Sequence, residues 1–243
     1  MKLTVIGCWG GYPKINEAST GYLLEENGFK LLIDCGSGVL SKLQNIIQPE
    51  EINSVILSHY HADHIADIGV LQHARLIQSF LGKKMDELPI YAPESEQEFP
   101  KLTHKNITNG VEYHPAEVLT VGPFSIRFLR TDHPVPCYAM RIETGGKVFV
   151  YTADTSYKHE LEQFSKDADL LLCECNFYKE QDGKNAGHMN SLDAGKLAAV
   201  ANVKRLILTH LPHYGDIQRL KEEAAEVFNG PILVASENLS ITL

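Results

Sequence analysis

The sequence predicts a layered α/β fold: two mixed β-sheets packed face to face, with helices on the outside. Three observations point there. Strands come first and helices after, and this order occurs twice along the chain without recognisable sequence repetition. No linker, low-complexity tract or charge block separates the halves, so residues 1–243 read as a single domain. The composition is that of a folded protein, with 44% of 243 residues hydrophobic and 22% charged. A chain of this kind can bury a large core without disulfide staples.

The elements follow in order. Lys2–Gly7 is a strand, ended by a Gly/Pro loop at Gly10–Pro13. Thr20–Glu25 and Lys30–Asp34 are two more strands, joined by a turn at Asn27-Gly28, a dipeptide suited to positive φ. After Gly36–Gly38, residues Val39–Ile47 place Leu40, Leu43 and Ile47 on one side of a helix that Pro49 closes. Ile52–Leu57 is a buried strand running into Ser58-His59. Ile68–Leu81 has helical spacing and stops at Gly82, and Leu88–Ala92 is a strand. Residues 93–117 are polar with little periodicity, so no element is assigned to them. Strands resume at Phe124–Leu129, Tyr138–Glu143 and Lys147–Tyr151, the last two forming a hairpin across Thr144-Gly145-Gly146. The pattern then alternates. Leu170–Cys173 and Arg205–Thr209 are strands, Leu192–Val200 and Ile217–Phe228 are helices, and Pro231–Val234 and Leu239–Thr242 finish as strands.

With 22 basic and 31 acidic residues the net charge is −9. That argues against a chain built to coat nucleic acid, which needs a basic face. It leaves room for a local basic patch, for which Lys83, Lys84, Lys101 and Lys105 are the candidates, or for a metal centre that attracts phosphate. The five cysteines are scattered and odd in number, unlike a secreted disulfide framework, and a reducing cytoplasm is the expected home. Apolar runs such as Val55–Leu57 and Leu170–Cys173 fall far short of the ~20 residues of a membrane span. The opening MKLTVIGCWGGYP reads as a first strand, not a signal peptide.

The informative excess is histidine, eleven in all. Ser58-His59-Tyr60-His61-Ala62-Asp63-His64 places four potential metal ligands directly after a buried strand. His59 and His61 alternate and so project to the same side of an extended segment, whereas Asp63 and His64 follow at a turn and can point elsewhere. One short segment can therefore feed two adjacent ions. Imidazole and carboxylate are ligands that zinc takes. His133, Asp154 and His210 have the same setting, each just beyond a strand. Four strand ends delivering such side chains to one edge make a site.

On these residues the sequence resembles the metallo-β-lactamase superfamily, and within it the ribonuclease Z-like phosphodiesterase branch. The resemblance spans nearly the whole chain, anchored by Leu31-Leu32-Ile33-Asp34-Cys35-Gly36, His59–His64, His133, Asp154 and His210. It implies the αββα sandwich. It implies two Zn²⁺ ions, with Mn²⁺ as the alternative metal. One ion would be held by His59, His61 and His133 and the other by Asp63, His64 and His210, with Asp154 bridging and Asp34 supporting from behind. Cys173-Glu174-Cys175-Asn176 and Gly187-His188-Met189-Asn190-Ser191 occupy the places of two further family segments. The resemblance therefore pairs Glu174 with His188, the carboxylate orienting an imidazole that protonates a leaving alkoxide. Asn190 or Ser191 caps the helix that follows.

The activity so implied is hydrolysis of phosphodiester bonds, at RNA 3′ ends or in small or cyclic nucleotides, by a hydroxide formed when a metal-activated water gives a proton to Asp63. The alternative for the same centre is hydrolysis of a thioester, lactone or lactam. A homodimer is also implied. Two departures from the family pattern weaken a tRNA substrate. The interval from His133 to Asp154 is too short for the long tRNA-gripping arm, and Thr155-Ser156 stands where the family often carries Thr-Arg. The acidic net charge adds to both. Trp9 and Tyr12, after the first strand, are placed at the cleft mouth or in its packing, and His213 lies near His210.

Overall fold

The computed structural model describes residues 1–243. Strands β1 (Lys2–Gly7), β2 (Gly21–Glu26), β3 (Phe29–Ile33), β4 (Ser54–Ile56), β5 (Leu88–Ala92) and β6 (Thr108–Glu112) follow one another in the first half. Strands β7 (Leu119–Val121), β8 (Phe124–Arg130), β9 (Tyr138–Thr144), β10 (Lys147–Tyr151), β11 (Leu170–Glu174), β12 (Leu206–Thr209), β13 (Ile232–Val234) and β14 (Ser240–Thr242) complete the set. Two seven-stranded sheets result, ordered β14-β1-β2-β3-β4-β5-β6 and β7-β8-β9-β10-β11-β12-β13. In each, the first three pairings are antiparallel and the last three parallel. The twice-repeated order seen in the sequence is thus a repeated topology. The C-terminal β14 crosses back to take the edge position in the first sheet that β7 holds in the second.

Alternation along the strands sorts side chains between two apolar layers, because successive residues point to opposite faces of a sheet. Leu3, Val5, Tyr22, Leu24, Leu31, Ile33 and Ile56 join the large core between the sheets. Ile6, Leu23, Leu32, Val55 and Leu57 face the other way, under the helices α1 (Val39–Leu43) and α3 (Ile68–Phe80). The one-turn helix α2 (Ala62–Ile65) lies between those two in sequence. On the second sheet, α4 (Glu160–Phe164), α5 (Ser191–Val200) and α6 (Ile217–Ala224) form the outer layer, with α5 against β11 and β12 and α6 against β13. The result is the two mixed sheets flanked by helices that the sequence predicts. No helix is long and apolar enough to cross a membrane.

Three local expectations need correction. Residues 93–117, left unassigned, contain β6, whose burial comes from pairing with β5 rather than from an apolar face of its own. The short elements β7, α2 and α4 carry too few residues to show a period. The helix expected over Val39–Ile47 keeps regular geometry only to Leu43. The cap before α5 is Asn190, whose side chain accepts from the Asp193 amide. Ser191 instead hydrogen-bonds the buried Glu223 at 2.5 Å.

Candidate metal centre

Strands β1, β3 and β4 run the same way in the first sheet, as do β8, β10, β11 and β12 in the second. Their C-terminal ends open on a shared edge, the place where α/β sheets present side chains to ligands. After β4 the chain bends at Ser58, is extended at His61 and then makes the single turn of α2. That turn brings Asp63 and His64 into a second group of ligand atoms while the His64 ring stays packed on His59, with centroids 4.1 Å apart.

The structure brings all seven expected ligand positions together in two overlapping groups. His59, His61, His133 and Asp154 offer ligand atoms within 4.8 Å of one another, and so do Asp63, His64, Asp154 and His210. Asp154 is common to both. Its carboxylate stands 3.3 Å from His64 Nε2, 3.2 Å from His210 Nε2, 3.7 Å from His59 Nε2 and 3.9 Å from His133 Nε2. A third group, Glu174, His188 and His210, adjoins the second.

The imidazoles are aimed by their other nitrogens. Asp34, fully buried, accepts from His64 Nδ1 at 2.8 Å and is itself held by the Ser58 amide and hydroxyl and the Tyr151 hydroxyl. Ser58 Oγ lies 3.0 Å from His59 Nδ1, and the Gly187 carbonyl lies 3.1 Å from His133 Nδ1. Fixing one nitrogen sets the tautomer and orients the second towards the cluster. Gly187 has φ +75, and a side chain there would meet the His133 ring, so glycine is required for this close approach. His210 itself sits at φ +52, a strained value for histidine, and Asn176 Nδ2 donates to its carbonyl at 2.9 Å.

Do these residues fit metal ions? The buried His59 Nε2, His64 Nε2 and Asp154 Oδ1 have no hydrogen-bond partner, an arrangement that is costly unless something else satisfies them. Burial lowers the pKa of His59 and His61 and brings that of His133 down to about 4, so these rings are neutral at pH 7 with lone pairs free for coordination. At His64 burial opposes the charged form, but Asp154 and Asp34 outweigh it and raise the pKa. The same negative field favours any cation at that point. A shared carboxylate between imidazole-rich groups is a donor set that suits a divalent cation in each.

Beside the cluster, His188 Nδ1 donates to the buried Glu174 Oε1 at 2.8 Å, and the Thr155 amide donates to the same oxygen at 2.9 Å. Burial opposes the charge on His188, yet Glu174 overrides it and raises the pKa to about 9. Asp63 Oδ2 accepts from the Gly11 amide at 2.7 Å and lies 3.1 Å from His210 Nε2.

Several supporting groups carry no signal in the sequence. Asn176, Tyr151 and the Gly11 amide act only through partners distant along the chain. Conversely, the basic patch dissolves in part, because Lys83 pairs with Glu50 and Lys101 with Glu98. Cys173 and Cys175 are buried core residues.

Comparison with known proteins agrees with this architecture. Residues 30–211 match the Beta-lactamase superfamily domain. The chain is 56% identical over 236 residues to the probable metallo-hydrolase YhfI of Bacillus subtilis, covering 97% of each. The crystal structure of YhfI superposes with a TM-score of 0.97 over 99% of this chain and 98% of that one, at 53% identity. A ribonuclease Z of Methanopyrus kandleri is 26% identical over 270 residues, covering 96% of this chain and 94% of that protein. The short form of human tRNase Z shares the fold, with a TM-score of 0.79 at 20% identity over 100% of this chain and 99% of that one. Two mixed sheets flanked by helices, a His/Asp cluster at their common edge and a family match across most of the sequence lead to one conclusion: the chain belongs to the beta-lactamase superfamily and has its metallo-β-lactamase fold.

Proposed function

We propose that the protein is a metal-dependent hydrolase of phosphodiester bonds. In this reading one cation is held by His59, His61 and His133, the other by Asp63, His64 and His210, and Asp154 is shared. The metal is zinc, with manganese as the alternative. Bound there, two such cations supply Lewis-acid activation of water and neutralise phosphate charge. Asp63 Oδ2, held by the Gly11 amide, is the oxygen placed to bind the cation beside His210, which leaves Oδ1 to accept a proton from the attacking water. His188 lines the adjoining cleft, and with Nδ1 tied to Glu174 its Nε2 is the atom that hands a proton to the leaving alkoxide.

The Glu174–His188 pair carries the choice of substrate. Phosphodiester cleavage expels a poor alkoxide leaving group and needs that proton, whereas thioester hydrolysis has less use for it. The names of the relatives, metallo-hydrolase and ribonuclease Z, support the same reading. Between His133 and Asp154 the chain forms only β9, a tight turn and β10, which leaves no arm for gripping a folded RNA. The substrate proposed is accordingly a small or cyclic nucleotide before an RNA 3′ end. All five cysteines are buried free thiols, in keeping with the proposed reducing cytoplasm. The homodimer remains part of the same proposal.

The test is metal-reconstituted turnover of bis(p-nitrophenyl) phosphate beside an acyl thioester and nitrocefin. Phosphodiester hydrolysis lost to a chelator and restored by Zn²⁺ or Mn²⁺ is the expected result. His188→Ala should lower kcat by about 10²- to 10⁴-fold. Near-normal kcat in that variant, or thioester turnover in place of phosphodiester turnover, overturns the reading.

A further inference from the structure

The loop after β1 bears an aromatic stack that the hydrolytic chemistry does not use. The Tyr12 ring lies parallel to that of His213, with centroids 3.7 Å apart and planes 6° apart. His213 is fixed, its Nε2 standing 3.1 Å from the Gly10 carbonyl and 2.9 Å from that of Tyr12. Trp9 lies 5.3 Å from the same imidazole and is anchored by its indole N–H on Glu17. Tyr12 nevertheless remains 60% exposed, and neighbouring Tyr214 is 46% exposed. The Tyr214 side chain is also held, its hydroxyl 3.0 Å from Gln181 Oε1.

Tyr12, His213 and Tyr214 line a cleft of 310 Å³ whose wall continues into His188 and His210. That volume is at the small end of ligand sites, near the ~300 Å³ lower limit. Exposed aromatics lose apolar area to water, so two rings held rigid beside a reaction centre are suited to covering a flat apolar group. Every nucleobase presents such a face, and stacking on an aromatic side chain tolerates any base. Tyr12 is backed by His213 on one side, and it is both solvent-exposed and part of the cleft lining.

We propose that Tyr12, braced by His213 and flanked by Tyr214, is a stacking platform for the base of a mononucleotide-sized substrate, and that it sets substrate preference rather than the rate of bond cleavage. This rests on the phosphodiester reading and names the substrate class within it: a single nucleotide unit bearing its base. Tyr12 is thus a specificity residue that binds the part of the substrate remote from the scissile bond.

The experiment has two arms. In the first, kcat/KM is measured for adenosine 2′,3′- and 3′,5′-cyclic phosphates and for the corresponding cyclic phosphates of methyl riboside, which lack the base. The base-bearing ester should be preferred, and Tyr12→Leu should shrink that preference about tenfold, through KM, with Tyr12→Phe restoring it. An unchanged preference in Tyr12→Leu overturns the proposal. In the second arm, binding of 5′-AMP and of ribose 5-phosphate is followed by the fluorescence of Trp9, the single tryptophan. Tighter binding of 5′-AMP that weakens about tenfold in Tyr12→Leu supports the platform. Equal binding of the two ligands, or no effect of the substitution, overturns it. If neither the cyclic esters nor bis(p-nitrophenyl) phosphate is hydrolysed, the phosphodiester reading fails, and the binding arm still decides the platform.

Discussion

Two buried aspartates occupy equivalent places in the two sheets and have opposite surroundings. Asp34 follows β3 and Asp154 follows β10, each at the strand where antiparallel pairing gives way to parallel. Both are nearly inaccessible, at 0% and 2% exposed. Asp34 is satisfied by four donors from Ser58, His64 and Tyr151. Asp154 faces four imidazoles, and its Oδ1 has no hydrogen-bond partner. The same topology thus delivers a carboxylate to the same edge twice. Its neighbours decide whether it braces a histidine or remains available to a cation.

The contrast can be broken by exchanging the outcomes. Asp154→Ala removes the donor shared by both groups. The expected result is loss of at least about 10³-fold in hydrolysis together with reduced metal content by elemental analysis, since a two-ion clamp loses its common ligand. Full metal content in that variant would show that Asp154 is not the bridge. Asp34→Asn should do less at the centre and more to the fold. Metal affinity is expected to fall about 10- to 100-fold, as for other partners that orient ligating histidines. Thermal unfolding of the metal-free protein should reveal a loss of about 1–3 kcal/mol, because the amide can no longer accept from all four donors. Equal effects of the two substitutions on metal binding and on stability would show that the two carboxylates play the same part.

The smallest effect concerns the Glu174–His188 pair, at the end of β11 and on the loop before α5. In the metal-free protein the His188 ring should titrate at about 9, and Glu174→Gln should move it down towards the ordinary 6.5. NMR of the ring protons reads this directly. The sign follows from linkage: the folded pKa is raised, so the stabilisation is fully present below about 6.5 and is lost as pH rises through about 9. Titration that stays put in Glu174→Gln would assign the raised value to Asp154 and Asp63 instead.

How much of this was legible beforehand depends on distance along the chain. The His59–His64 segment stood out because four donors lie within six residues of one another after a buried strand. His133, Asp154 and His210 each read from the residues only as a polar side chain past a strand end, and the resemblance assigned them as ligands. The Glu174–His188 pair became visible only through resemblance. Asn176 and Tyr151 were not visible at all, since an asparagine or a tyrosine at the end of a strand has many ordinary uses. Strand β6 was missed for a related reason: with only Thr108 fully buried among its five residues, its own pattern is too weak, and β5 supplies the order.

By itself, then, the sequence determined which segments extend and which coil, through the spacing of apolar residues, and it determined which side chains at strand ends can ligate a metal. Only the tertiary structure decided that Asp34 is satisfied by four donors while Asp154 Oδ1 is left without one, and that Tyr12 lies stacked on His213 in the cleft that His188 and His210 line. The physical reason is that a side chain's role depends on the donors and acceptors within about 3 Å of it, and for these residues most of those partners come from strands and loops far away in the chain.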